Sequence, residues 1–192
     1  MNLAHHYGAN RLWIVNIGDI KPQEVPLEFF LTLAWNPAAI TQHDLDDYLV
    51  RWAEREFGPK YARDAADIVA KYAKYNGRRK PELLEPGTFS LENYGEVDRV
   101  LAEWQEIATR AEKIYAKLPK ESRDAFYQLG LYPAQACAVV NELYIAVAKN
   151  RALAKQNNPR ANSYAQRARE LFAQDQAMSD YYNNELAGGK WK

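Results

Sequence analysis

Residues 11–17 read Arg-Leu-Trp-Ile-Val-Asn-Ile, an apolar run rich in β-branched and aromatic side chains with no polar alternation. Such a run suits a strand buried on both faces of a parallel sheet. Helix-like residues precede it, Leu3 to Tyr7 closed by Gly8, and Pro26 to Trp35 follows as a second apolar helix. Helix, strand, loop and helix in that order make one unit of an α/β fold. A lone parallel strand has no partner, and its backbone groups are costly to bury unpaired. The run therefore predicts a β-α unit whose sheet is completed by another chain or, more simply, by sequence outside these 192 residues.

Downstream the pattern changes. No glycine or proline falls between Glu96 and Leu118, between Ala134 and Asn158, or between Arg160 and Ala187. Each window is rich in Ala, Leu, Glu, Arg and Gln, which favour helix. In the first, Val97, Leu101, Trp104, Ile107 and Ile114 recur at helical spacing; Val139, Leu143 and Val147 do so in the second, and Tyr164, Ala168, Leu171 and Met178 in the third. Pro119, Pro133 and Pro159 mark the seams, where a first-turn proline is tolerated. Two shorter helices come earlier. Thr41 with Asp44 three residues on resembles a capping box ahead of Leu45, Tyr48, Leu49 and Trp52. Gly58-Pro59 closes that helix and opens one carrying Ala62, Ala65, Ala66, Val69 and Tyr72, and Lys120 to Leu131 supplies another. The fold expected is mainly α: a five- to six-helix antiparallel bundle preceded by one β-α unit of an α/β sheet.

Composition narrows the function. Lys+Arg and Asp+Glu both number 25, so there is no net charge and no electrostatic footprint of a general nucleic-acid or anionic-membrane binder. No apolar stretch approaches the 18 or so residues of a membrane helix. Cys137 is the one cysteine and cannot form an internal disulfide. His5 and His6 are adjacent and point apart on a helix, so no metal site is expected, and no cofactor motif appears.

Ligands of α/β sheets gather where loops leave the carboxyl ends of strands. Here that loop is Asn16-Ile-Gly-Asp19-Ile-Lys21-Pro22, with an amide, a carboxylate and an ammonium around a flexible glycine. Such a set can hydrogen-bond sugar hydroxyls and pair with a substrate carboxylate. A plain helix-capping loop with a surface Asp–Lys pair is the competing reading.

Residues 10–22, Asn-Arg-Leu-Trp-Ile-Val-Asn-Ile-Gly-Asp-Ile-Lys-Pro, resemble a segment of glycoside hydrolase family 115, the xylan α-1,2-glucuronidases. The likeness continues in order through Pro26–Leu31, Leu33–Pro37, Lys74–Leu84, Arg123–Leu129, Ala177–Asn183 and Leu186–Trp191. The resemblance implies a barrel-like catalytic domain followed by a helical domain, in a chain several times longer than this one: 1–37 would be the end of an incomplete α/β barrel, 38–187 the helical bundle and 188–192 a truncated linker. It also implies an inverting enzyme that removes (4-O-methyl)glucuronic acid from glucuronoxylan, with no cofactor. Inversion needs an acid and a base on opposite faces of the sugar, with room for a water. Most of those carboxylates would lie on barrel strands absent here, leaving the fragment itself inactive.

On that footing Asn16 is a candidate sugar or water hydrogen-bond partner and Asp19 an orienter or base. Lys21, Arg78 and Arg79 are candidate partners for a uronic carboxylate, which Arg binds through two parallel hydrogen bonds. The bland reading of Asn76-Gly-Arg-Arg-Lys80 is a set of cations finishing a helix. Trp35, near an element end, is a candidate sugar-stacking or interface residue, whereas Trp104, Tyr115, Tyr144 and Tyr182 fit the core. The partners implied are glucuronoxylan or an acidic xylo-oligosaccharide, the missing remainder of the chain, and a second copy in a homodimer. A polymeric substrate implies a secreted or periplasmic full-length protein. The competing class is a non-catalytic helical interaction or dimerisation domain.

Overall fold

In a computed structural model of the chain, the described residues are 1–18, 21 and 23–192. A short helix α1 (Asn2–His6) leads into an extended segment, followed by α2 (Glu24–Trp35). Six further α-helices follow: α3 (Leu45–Phe57), α4 (Ala62–Asn76), α5 (Glu96–Tyr115), α6 (Lys120–Phe126), α7 (Tyr132–Lys155) and α8 (Ala161–Asn184). The mainly α bundle expected from the Gly/Pro spacing is what forms, and the chain is 71% helical.

Local chemistry sets the ends. The Asp44 carboxylate accepts the Thr41 backbone N–H at 2.8 Å, the reciprocal half of a capping box that opens the turn before α3. Gly58 ends α3 with φ of 82°, a conformation that costs a side-chain-bearing residue but not glycine.

Cross-helix pairs give the direction of each packing. Between α4 and α5, Asp64 and Asp67 meet Arg110, Tyr75 meets Trp104, and Arg78 just beyond α4 meets Glu103. Residue numbers rise on one helix as they fall on the other, so the two run antiparallel. The same holds for α7 and α8, where Asn150 bonds the Ala161 carbonyl, Glu142 pairs with Arg167, and Tyr132 packs on Tyr182.

The core lies where α3, α4, α5 and α7 converge, around Trp52, Ile68, Trp104, Ile107, Phe126 and Ile145. Each such side chain removed from water contributes roughly 1.5–3 kcal/mol. A second cluster, Val139, Ala146 and Leu171, glues α8 to the far side of α7. Helix α7 is thus buried on two faces, Cys137 and Ile145 toward the main core and Val139 and Ala146 toward α8. That accounts for its even apolar distribution.

Two expectations need correction. The segment 11–17 forms no strand; among the described residues it has no ladder partner and runs irregularly. A strand exists only by hydrogen-bonding another, and the described residues offer none. Among them the stretch is neither helical nor paired. The second correction concerns Pro133. Instead of a seam between two helices, α6 runs through a π-helical turn at Tyr127–Leu131 directly into α7. The Tyr132 N–H reaches back to the Tyr127 carbonyl, one residue farther than in an α-helix. The wider turn eases the clash a proline ring makes with the carbonyl four residues before it.

Candidate functional site

The amino-terminal face is built by aromatic contacts. Trp13 donates its indole N–H to the Ala9 carbonyl and lies 6.2 Å from the Phe30 ring of α2. Its flanks point outward: Leu12 is 76% and Ile14 86% exposed, and Leu31 and Trp35 of α2 also face solvent. Apolar side chains of this size laid side by side are costly to leave wet.

Asn16 follows this strip. Its Oδ1 accepts the Gly18 N–H at 3.1 Å, and Gly18 takes the positive φ (63°) that the turn requires. This Asx turn fixes the amide group on the surface. Asp19 lies outside the described residues. Lys21 does not extend freely: its ammonium pairs with Glu24 and sits 4.5 Å above the Trp191 ring. Glu24 in turn accepts a 2.8 Å hydrogen bond from the buried amide of Gln128, in the π turn. Trp35 stands at the opposite end of α2, about 16 Å along the axis from Glu24 at 1.5 Å per residue, and is 92% exposed.

Arg78 and Arg79 occupy a different place. The loop after α4 folds over the start of α5, enclosing an open cleft of about 600 Å³. Arg78, Arg79 and Arg99 line it together with Glu85, Thr88 and Phe89. Its lining contains no residue of 1–37, so the structure does not join the two arginines to Asn16 or Lys21 in one pocket. Arg78 pairs with Glu103 at 2.5 Å and lies 4.4 Å over the Tyr75 ring. Arg79 donates its Nε–H to the Leu83 carbonyl at 2.9 Å, which orients the guanidinium and leaves its two terminal nitrogens.

Arg99, Glu85, Thr88 and Phe89 escaped the sequence reading. Arg99 sits three residues after Glu96 and passes for half of a surface ion pair. A cation in the first turn of a helix opposes the local dipole, and that was the available clue. Glu96 is instead engaged by the Ser90 backbone N–H at 2.7 Å.

No three or more His, Cys, Asp or Glu side chains converge into a metal site among the described residues. No described helix is long and apolar enough to cross a membrane. Cys137 is buried against Asn76, and burial pushes its thiol pKa up.

Residues 1–83 match the family model described as glycosyl hydrolase family 115. Among solved structures, the chain is similar to a family GH115 4-O-methyl-α-glucuronidase, BtGH115A, with specificity for decorated arabinogalactans. The two share 26% identity and a TM-score of 0.80 over 98% of this chain, which spans 25% of that enzyme's length. No curated protein matches. The amino-terminal sequence and the fold of nearly the whole chain are thus both similar to glycoside hydrolase family 115.

Proposed function

We propose that this chain is part of an inverting α-glucuronidase that removes (4-O-methyl)glucuronic acid from glucuronoxylan. One observation carries the reading: 98% of the chain superposes on one quarter of a family 115 enzyme. In this reading residues 1–37 belong to the catalytic barrel, 38–187 form the helical domain and 188–192 are linker. The run 11–17, with Leu12 and Ile14 facing water, would pair as a strand once the rest of the enzyme supplies sheet neighbours. A polymeric substrate gives the whole enzyme a secreted or periplasmic address.

Asn16 offers a fixed surface amide to a sugar hydroxyl or to the attacking water. Asp19 would act as its orienter or as base. Inversion places acid and base about 6.5–9.5 Å apart around a bound water. Catalysis depends on all those groups being held at once, so the 192 residues alone should not turn over substrate. The backbone polymer is open to two choices, since the solved relative carries specificity for decorated arabinogalactans.

The test is sugar release from glucuronoxylan and from a glucuronate-decorated arabinogalactan. The complete enzyme should liberate the acid with inverted anomeric configuration, and the 192-residue chain should liberate none. Release by the short chain at an ordinary enzymatic rate would refute the division of labour. A second reading, a non-catalytic docking or dimerisation domain, draws on the same exposed strip of Leu12, Ile14, Leu31 and Trp35. Sedimentation of the 192-residue chain as a strict monomer that binds no hydrophobic dye would count against both.

A further inference from the structure

The geometry points to the cleft between the loop after α4 and the start of α5 as a second carbohydrate site, one that holds a uronic acid without cleaving it. Its volume, about 600 Å³, is in the range that encloses a small ligand. Its chemistry is mixed in a particular way. Arg99 has no salt-bridge partner among the described residues, and Arg79 is oriented by the Leu83 carbonyl through Nε alone. Those two guanidinium groups are therefore the ones available to a carboxylate, while Arg78 is already bound to Glu103.

A simple anion sink would not carry carboxylates. This cleft does: Glu85 and Glu96 both line it, Glu96 already engaged by the Ser90 N–H, together with the Thr88 hydroxyl and the Phe89 ring. Thr88 Oγ1 accepts the Glu85 backbone N–H at 2.9 Å, which leaves its own proton to be donated elsewhere. A carboxylate and a hydroxyl accept from and donate to sugar hydroxyls, and an aromatic ring covers the C–H face of a pyranose. Sulfate would meet the arginines but offer the Glu85 carboxylate no donor, whereas a polyhydroxylated carboxylate brings an anion for the arginines and hydroxyl donors for Glu85. No residue of 1–37 lines the cleft, so it is separate from the Asn16 loop. The choice of a uronate rests on the family 115 reading; the Arg/Glu/Thr/Phe arrangement does not.

The experiment is a ¹⁵N-NMR titration of the 192-residue chain with sodium D-glucuronate, D-xylose and inorganic phosphate at constant ionic strength. Glucuronate should shift amides of residues 85–89 and 96–100 saturably, with a Kd of roughly 1 mM for a few charge-assisted hydrogen bonds. Xylose should bind at least 10-fold more weakly. Arg99→Gln, at an exposed position, should weaken glucuronate binding at least 10-fold, and Thr88→Ala should weaken it severalfold. Three results overturn the proposal: no saturable shift with glucuronate, phosphate binding as tightly as glucuronate, or undiminished binding by Arg99→Gln. The glycosidase reading fails on a different observation, absence of sugar release by the complete enzyme, which this titration does not read.

Discussion

Glu24 and Gln128, 104 residues apart in sequence, share a 2.8 Å hydrogen bond that ties the start of α2 to the middle of the bundle. Gln128 is almost fully buried, and the second oxygen of Glu24 is enclosed without a hydrogen-bond partner among the described residues. This partly buried carboxylate has two donors, Lys21 and Gln128, both on its other oxygen, and depends on each. Gln128→Leu should therefore cost about 2 kcal/mol, the range for a hydrogen bond to a charged group. Glu24→Leu combined with Gln128→Leu should recover much of that loss, a coupling of about 1–2 kcal/mol in a double-mutant cycle. Urea denaturation of the four proteins measures it, and additive single losses would mean that the pair is incidental.

Gly130 lies within the π turn against the ring of Phe126, which is itself buried and packed edge-on to Phe57 at 5.0 Å. A Cβ at position 130 would stand 3.0 Å from the Phe126 Cε2. Alanine normally gains up to about 1 kcal/mol over glycine inside a helix. Here the ring has nowhere to go, and overpacking costs about 1–3 kcal/mol. Gly130→Ala should lower the melting temperature; a rise would show that the π turn relaxes freely.

The six helices of the bundle were readable because glycine and proline act locally, through φ and a missing N–H, and the Thr41–Asp44 box is a contact between residues three apart. The π turn was not readable. It is the compromise between Pro133 and the room left beside Phe126, a distance known only once the helices pack. The segment 11–17 reads as a strand because its side chains are suited to burial on both faces, while strand formation needs hydrogen-bond partners that the described residues do not supply. The arginine cleft was half legible: Arg78 and Arg79 are adjacent in sequence, whereas Arg99 reaches them only through the α4–α5 packing.

Arg110 brings the antiparallel pair α4 and α5 together by contacting Asp64 at 2.7 Å, Asp67 at 2.6 Å and Glu106 at 2.9 Å. Partial burial pushes the Asp67 pKa up, but hydrogen bonds from Lys71 and Arg110 outweigh it and hold the group below its ordinary 3.8. A carboxylate with a depressed folded pKa adds stability above its unfolded pKa and loses it as pH falls through the folded one. Stability from this cluster should thus be whole above about pH 4 and be lost progressively as pH falls below it. Its members are partly exposed, so Arg110→Met should cost only ~1 kcal/mol at neutral pH. The same variant should flatten the acid limb of the stability curve. An unchanged acid limb would assign that loss to other carboxylates.

At the opposite end of the pH scale, burial pushes the Tyr127 phenol up to about 12 from 10.0, with the neighbouring Tyr181, Tyr132 and Tyr115 adding to the effect. Tyr181 packs against it at 4.9 Å and Tyr115 at 5.9 Å, so the phenolate would form inside a wall of aromatic rings. A phenol whose folded pKa is raised favours the folded state while it stays protonated. Its contribution is complete below pH 10, the unfolded value, and falls away as pH rises toward 12. Chemical denaturation across pH 9–12 should show stability declining in that window, and Tyr127→Phe should remove part of the slope while leaving neutral-pH stability within about 1 kcal/mol. Ultraviolet titration gives an independent reading, because one tyrosine fewer should ionise late in the variant. If the slope persists unchanged in Tyr127→Phe, the alkaline loss belongs to Tyr72, Tyr181 or Tyr182, whose pKa values burial also raises.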